Sequence, residues 1–289
     1  MLLDIMQPIF SCQNKVNPDF PDSSIVLYIE VGQYHLAYYT VHTNGDIFTD
    51  YELYNTADRI NADTVVEFLK NTNVFQKKYH SVVFVHHSAE SVLIPQVLFI
   101  SGTESELIST THGDAVAYTF FKDGSYHSDI INVFAIDAKI NAVSTDLFPK
   151  VSHTHINSIL LKDIDRREIQ HTEDLIEMIF YPSSFHLTVL KGRDVQFLQT
   201  FYFETKDDIS YYLSSAIQEF AINPDTLKLS VCGFIKDDSI FMSTIRQHIP
   251  QVELLNPQVP ISIPAEAEFP LHYFTPIFIS TQCESSVEN

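Results

Sequence analysis

From Ser24 onward apolar and polar positions alternate. Ile25, Leu27, Ile29 and Val31 fall on one side, and Val26, Tyr28, Glu30 and Gly32 on the other. A period of two predicts a strand. A second extended run over residues 34–42 leads into Thr43-Asn44-Gly45-Asp46, whose Asn-Gly pair supplies the positive φ of a tight hairpin. A third run over 47–54 returns, so the start of the chain predicts a three-stranded meander. Asn61-Ala62-Asp63 then opens a helix that sets Val65, Val66, Phe68 and Leu69 on one apolar stripe. Residues 81–85 form a short apolar strand.

The same order returns in the second half. Residues 175–181 and 185–190 read as two strands, Lys191-Gly192-Arg193-Asp194 as a turn, and 195–203 as the third strand. Thr205-Lys206-Asp207-Asp208 has the form of a capping box. It opens a helix with Ile209, Leu213, Ile217 and Phe220 on one face, and Leu227, Leu229 and Val231 alternate in a strand that ends at Gly233. His35-Leu36 and His186-Leu187 stand 151 residues apart, and Gly45 and Gly192 stand 147 apart, which suggests a duplication with a shorter second hairpin. Between the copies, residues 130–136 read as a strand. Asp137 caps a helix carrying Ile140, Val143 and Leu147 that Pro149 stops, and 151–161 read as another strand or extended crossing.

Composition narrows the class. A chain of 289 residues with 45% hydrophobic content has room for two packed domains. With 17 basic against 37 acidic residues the net charge is −20, and no basic stripe is available to neutralise a phosphate backbone, which argues against nucleic acid as a partner. Cys12, Cys232 and Cys283 are odd in number and widely spaced, which fits neither a disulfide framework nor a zinc knuckle and suits a reducing compartment. Asp4 and Pro8 interrupt the apolar N-terminus, and no run approaches the roughly 18 apolar residues of a membrane helix. These features predict a cytoplasmic protein with no membrane partner.

Two copies of meander, helix, strand and helix resemble the actin-like ATPase superfamily, which includes actin, its chaperone relatives and the sugar kinases. The run Ser81-Val82-Val83-Phe84-Val85-His86-His87-Ser88-Ala89-Glu90-Ser91-Val92-Leu93-Ile94-Pro95, and the strand, acid-capped helix and strand of 132–162, are similar to the degenerate actin-like proteins of pilus assembly and type II secretion and to other bacterial actin-like families. The resemblance implies an α/β fold with mixed sheets, a duplicated ribonuclease H-like, actin-like ATPase fold. It predicts an N-terminal extension over 1–23, a first domain over 24–170 with an inserted subdomain around 103–165, a second domain over 171–280 and a tail over 281–289.

In that superfamily ATP and Mg²⁺ contact the first hairpin of each half. An Asp-x-Gly motif there joins a carboxylate for the metal to a glycine that lets backbone approach phosphate. The first hairpin here reads Glu30-Val31-Gly32, with Glu for Asp, whereas Tyr181-Pro182-Ser183 at the second has neither carboxylate nor glycine. The family's Gly-rich adenosine turn falls on Leu229 to Phe234 and keeps one glycine, Gly233. By resemblance the nucleotide cleft residues are therefore Glu30, Gly32, Ser183 and Gly233, with Glu30 the catalytic candidate. Of the seven glycines, Gly45 and Gly192 serve hairpins and Gly102, Gly113 and Gly124 sit in polar loops, which leaves two for a nucleotide cradle.

The histidines carry less. His153 and His155 would share a strand face, but His86 and His87 would point oppositely, and no acid or thiol stands near them at ligand spacing, so no metal site is expected. His35 and His186 read as packing remnants, and Ser88 beside His87 lacks the glycines and orienting acid of a nucleophile elbow. The aromatic stretch 269–278 reads as core. The sequence thus predicts an actin-like module with an eroded site that works through protein contacts, with a second copy or a basic partner. The alternative is a Mg·ATP-dependent ATPase or kinase built on Glu30, and a ribonuclease H-type nuclease ranks last because Glu30 lacks partner carboxylates.

Overall fold

The computed structural model describes residues 7–13, 21–43, 47–113, 117–124, 129–167, 174–257 and 269–284. The expected Asn44-Gly45 turn lies outside them, as does most of the expected 281–289 tail. Among the described residues the chain forms two compact units, one of residues 7–162 with 281–284 and one of 163–257 with 269–280.

The first unit is built on a six-stranded sheet. Its strands are β1 (Phe10–Gln13), β2 (Ile25–Val31), β3 (His35–His42), β4 (Phe48–Asn55), β5 (Ser81–His86) and, after the small sheet described below, β9 (Val151–His155). They lie in the order β1-β4-β3-β2-β5-β9, with the β2–β5 and β5–β9 pairs parallel and the others antiparallel. Helix α1 (Ala62–Asn71) starts as expected, because the Asn61 side chain accepts from the Thr64 N–H at 3.0 Å. Its Val65, Phe68 and Leu69 pack on Leu27, Ile29, Leu36, Val82 and Phe84, together with Ile140 of α3 (Ala138–Leu147). Asp137 caps α3 through the Lys139 N–H at 2.8 Å. Since alternate residues of a strand face opposite ways, Tyr28 and Glu30 project from the other face, and they too are buried.

Between β5 and β9 the chain makes β6 (Ser91–Pro95), α2 (Glu104–His112), β7 (Tyr118–Gly124) and β8 (Ile130–Asp137), of which the strands pair antiparallel as β6-β8-β7. Beyond β9 the expected extended crossing is absent. Residues from Ile156 instead form helix α4 (Ile156–Arg166), which buries Ile156, Ile159, Leu160 and Ile164 and carries the chain into the second unit. A short apolar run such as Ile159-Leu160-Leu161 fits either period, and the i, i+3, i+4 spacing of the wider stretch decides for a helix.

The second unit repeats the plan with β10 (Asp174–Phe180), β11 (Ser184–Lys191), β12 (Asp194–Tyr202), α5 (Lys206–Glu219), β13 (Lys228–Gly233), α6 (Ile240–His248) and β14 (Val252–Leu254), in the order β12-β11-β10-β13-β14. The capping box of Thr205 and Asp208 opens α5, whose Ile209 and Leu213 pack on Met178, Leu187 and Val231. Helix α7 (Thr275–Glu284) ends the described chain. Pro276 sits in its first turn, where a missing N–H costs no hydrogen bond, and Tyr273, Phe274 and Phe278 are buried. No helix among the described residues is long and apolar enough to cross a membrane.

The two sheets match in detail. The Gly32 N–H donates to the His35 carbonyl at 2.9 Å, and the Tyr181 N–H donates to the Ser184 carbonyl at 2.8 Å. The register along the middle strand shifts between Thr40 and Val41 in the first sheet and between Val189 and Leu190 in the second, where the neighbouring strand carries an extra residue, Thr49 in β4 and Gln196 in β12. Both correspondences span 149 residues. His35 therefore corresponds to Ser184, and His186 to Ala37, which corrects the expected pairing of His35 with His186 by two positions. The residues at the place of Glu30-Val31-Gly32 are Ile179-Phe180-Tyr181.

Candidate functional site

Three neighbouring strands of the first unit bring titratable side chains to one end of the sheet. Glu30 is the penultimate residue of β2, His35 the first of β3, and His87 follows the last residue of β5, its N–H donating to the Val31 carbonyl at 2.9 Å. Register puts all three on one face. Glu30 is paired with Ala37, two residues from His35, while His87 stands one step beyond His86, on the face opposite Phe84. Their exposures are 1%, 2% and 1%. The His35 and His87 rings meet edge to face with centroids 5.0 Å apart. One carboxylate oxygen of Glu30 and one ring nitrogen from each histidine lie within 4.8 Å of one another.

The electrostatics follow from the burial. Neither oxygen of Glu30 accepts a hydrogen bond from a described residue, and loss of solvation pushes its carboxyl from 4.5 up to about 8. At neutral pH Glu30 therefore carries its proton. Burial drives His35 the opposite way, down to about 3, so its ring stays neutral. Tyr51 is raised by burial and then by the nearby Glu30.

Gly32 is a glycine for a local reason. A β-carbon there would overlap the His35 ring, so the imidazole fills the space that the missing side chain leaves. Gly233 is likewise held by close approach. Its φ is +82°, a β-carbon would overlap the Phe180 carbonyl, and the next residue's N–H donates to that carbonyl at 2.7 Å. Ser183, in the turn between β10 and β11, accepts from the Phe203 N–H at 3.2 Å through its carbonyl. Glu30 and Gly32 thus lie together in the first unit, and Ser183 and Gly233 lie in the second.

A second polar group occupies the ends of β5 and β9. His86 Nε2 lies 3.0 Å from His153 Nδ1, and His153 Nε2 lies 3.0 Å from the Ser144 hydroxyl. His155 takes different partners, the Ser88 carbonyl at 3.0 Å and the Asn157 N–H, which donates to its Nδ1 at 3.1 Å. Burial holds His153 and His155 down at about 4 and, with the neighbouring His153 and His155, holds His86 well below its ordinary value, so this is a chain of neutral imidazoles. His86 and His87 do diverge as read from the sequence. What local spacing could not reveal is that β2 runs beside β5 and delivers an acid to His87.

A family model described as a protein of unknown function, DUF3822, matches residues 20–252. The chain belongs to this family. No curated protein matches the sequence significantly. Among solved structures, a Bacteroides thetaiotaomicron protein with actin-like ATPase fold and unknown function superposes with a TM-score of 0.72 at 13% identity, covering 83% of this chain and 95% of that one. The PilM–PilN type IV pilus biogenesis complex matches with a TM-score of 0.60 at 13% identity, covering 92% and 98%. This member of the family therefore has the actin-like ATPase fold, with mixed α/β sheets. Within that fold, Glu30-Val31-Gly32 stands at the first hairpin and Ile179-Phe180-Tyr181 at the second.

Proposed function

We propose that this protein is a non-catalytic, or at most weakly nucleotide-binding, actin-like module that acts by contacting another protein in the cytoplasm. The observation that carries the reading is the state of the first hairpin. The space above Gly32, where a phosphate would approach backbone, is filled by the His35 ring, and the neighbouring Glu30 is buried and protonated. A neutral carboxyl offers Mg²⁺ or its waters little attraction, because hard cations take ionised oxygen ligands. The second hairpin has Ile179 in place of a carboxylate and Tyr181 in place of glycine, so it offers no replacement.

A protein of the same fold, PilM, is found in a complex with PilN, which supports a contact role. The net charge of −20 favours a basic partner over a second copy of the chain, since two copies repel each other. A Mg·ATP-dependent ATPase or kinase using Glu30, Gly32, Ser183 and Gly233 requires His35 to leave Gly32 and Glu30 to ionise. Calorimetric titration with Mg·ATP, followed by phosphate release, separates the two readings. No heat of binding is expected up to concentrations on the order of 1 mM, equivalent to about −4 kcal/mol. Micromolar affinity with turnover that disappears in Glu30→Gln would overturn the proposal in favour of the enzyme.

A further inference from the structure

We propose that Glu30, His35 and His87 form a binding site for one divalent transition-metal ion, zinc by preference, that ties β2, β3 and β5 together. This goes beyond the contact role above and does not depend on it. Three ligand residues converge from three adjacent strands, and the donor set is one carboxylate and two imidazoles. Zn²⁺ takes such donors at about 2.0–2.2 Å in a tetrahedral arrangement, which sets donor atoms about 3.4 Å apart. The observed separations, all within 4.8 Å, therefore close by side-chain rotation without moving the strands.

The second observation is the carboxyl itself. A buried polar group is ordinarily hydrogen-bonded, and leaving one bare is costly. Glu30 is 1% exposed, both of its oxygens are buried, and no described residue donates to either. An ion that displaces the carboxyl proton into solvent and is coordinated by the resulting carboxylate and the two imidazoles supplies the missing partner. Imidazole donors distinguish this site from a magnesium site, because Mg²⁺ prefers carboxylate, carbonyl and water oxygens whereas imidazole suits zinc, copper and nickel. Three protein ligands leave a fourth position, and the burial of all three points to a structural ion. The His86–His153 pair is a weaker candidate, since those rings already bond to each other and to Ser144.

The test uses the full chain, stripped with chelator, loaded with Zn²⁺ or Co²⁺ and passed through a desalting column. Wild type is expected to retain about one equivalent of metal per chain, with Co²⁺ giving the visible bands of a tetrahedral site. Glu30→Gln, nearly isosteric, and His87→Gln are expected to lower affinity by about a hundredfold or more, since loss even of an outer-shell partner costs about 10–100-fold. His153→Gln is expected to retain the metal. The circular dichroism of each variant is compared with wild type, and only variants with the wild-type spectrum are scored. If wild type retains no metal, or if Glu30→Gln retains as much as wild type, the site does not exist. If His153→Gln loses the metal while Glu30→Gln keeps it, the ion belongs to the other histidines and the proposal is equally overturned.

Discussion

Gly233→Ala is expected to destabilise the second unit by about 2–5 kcal/mol. Placing an L-residue in the left-handed region costs about 1–2 kcal/mol, and overpacking costs about 1–3 kcal/mol more. Both apply here, because the φ of Gly233 is +82° and its β-carbon would overlap the Phe180 carbonyl. That carbonyl cannot swing aside as a flexible side chain would. It accepts from the Phe234 N–H, and Phe180 is paired with Gly233 in the sheet. Gly102→Ala separates the two contributions. Gly102 has a φ of +95° with nothing within 4 Å of an added β-carbon, so it suffers the backbone cost alone. Urea unfolding of the two variants measures the difference, and equal midpoints would show that contact with Phe180 carries no weight.

The metal-free protein is expected to be most stable near pH 6.5 and to weaken on both sides. Glu30 has a folded pKa of about 8 against 4.5 for the free group. Between those values the folded state holds a proton that the unfolded chain has released, so stability falls as pH rises through that window. At about 1.36 kcal/mol for each tenfold change in proton activity, the loss from pH 6.5 to 8 is at most about 2 kcal/mol and the whole window at most about 5 kcal/mol. The buried histidines act in the opposite direction. His35, at about 3, and His153 and His155, at about 4, stay neutral when folded, whereas the unfolded rings take up protons below 6.5. Stability therefore falls as pH drops below 6.5. Glu30→Gln, an uncharged mimic of the protonated acid, should remove the alkaline decline and leave the acid one. Chemical denaturation of both proteins in chelator from pH 5 to pH 9 measures this. A parallel alkaline decline in the variant would show that Glu30 is not its source.

The residues that made the fold legible were those whose signals are local. Ile25 to Val31 alternate, Asn61, Asp137 and Thr205 cap helices by their own hydrogen bonds, and Gly192 with Arg193 forms the two-residue turn between β11 and β12. Helix α4 was hidden because its apolar run suits either period. Helix α6 carried a usable signal in Ser239, which accepts from the Met242 N–H at 3.1 Å, but no Glu follows to complete a box. The Glu30, His35 and His87 cluster was out of reach for a different reason. Its members are joined by parallel pairing of β2 with β5 across an intervening helix, and no spacing along the chain encodes that register. The mistaken match of His35 with His186 has the same lesson. Identical residues drew the alignment, whereas the hairpin hydrogen bonds and the two bulges fix it two positions away.

Strand β1 makes the two units unequal in the way they open. It pairs with the outer side of β4 and sequesters amides there, as in Phe10 opposite Leu53 and Cys12 opposite Tyr51. The corresponding strand of the second unit, β12, has no strand beyond it among the described residues. Its outward N–H groups lack the cover that β1 gives to β4, and amides without a partner strand exchange through small local openings. Deuterium uptake should therefore reach the outer amides of β12 before those of β4, and the second sheet should fray from that side while the first is held shut by a strand outside the repeated plan.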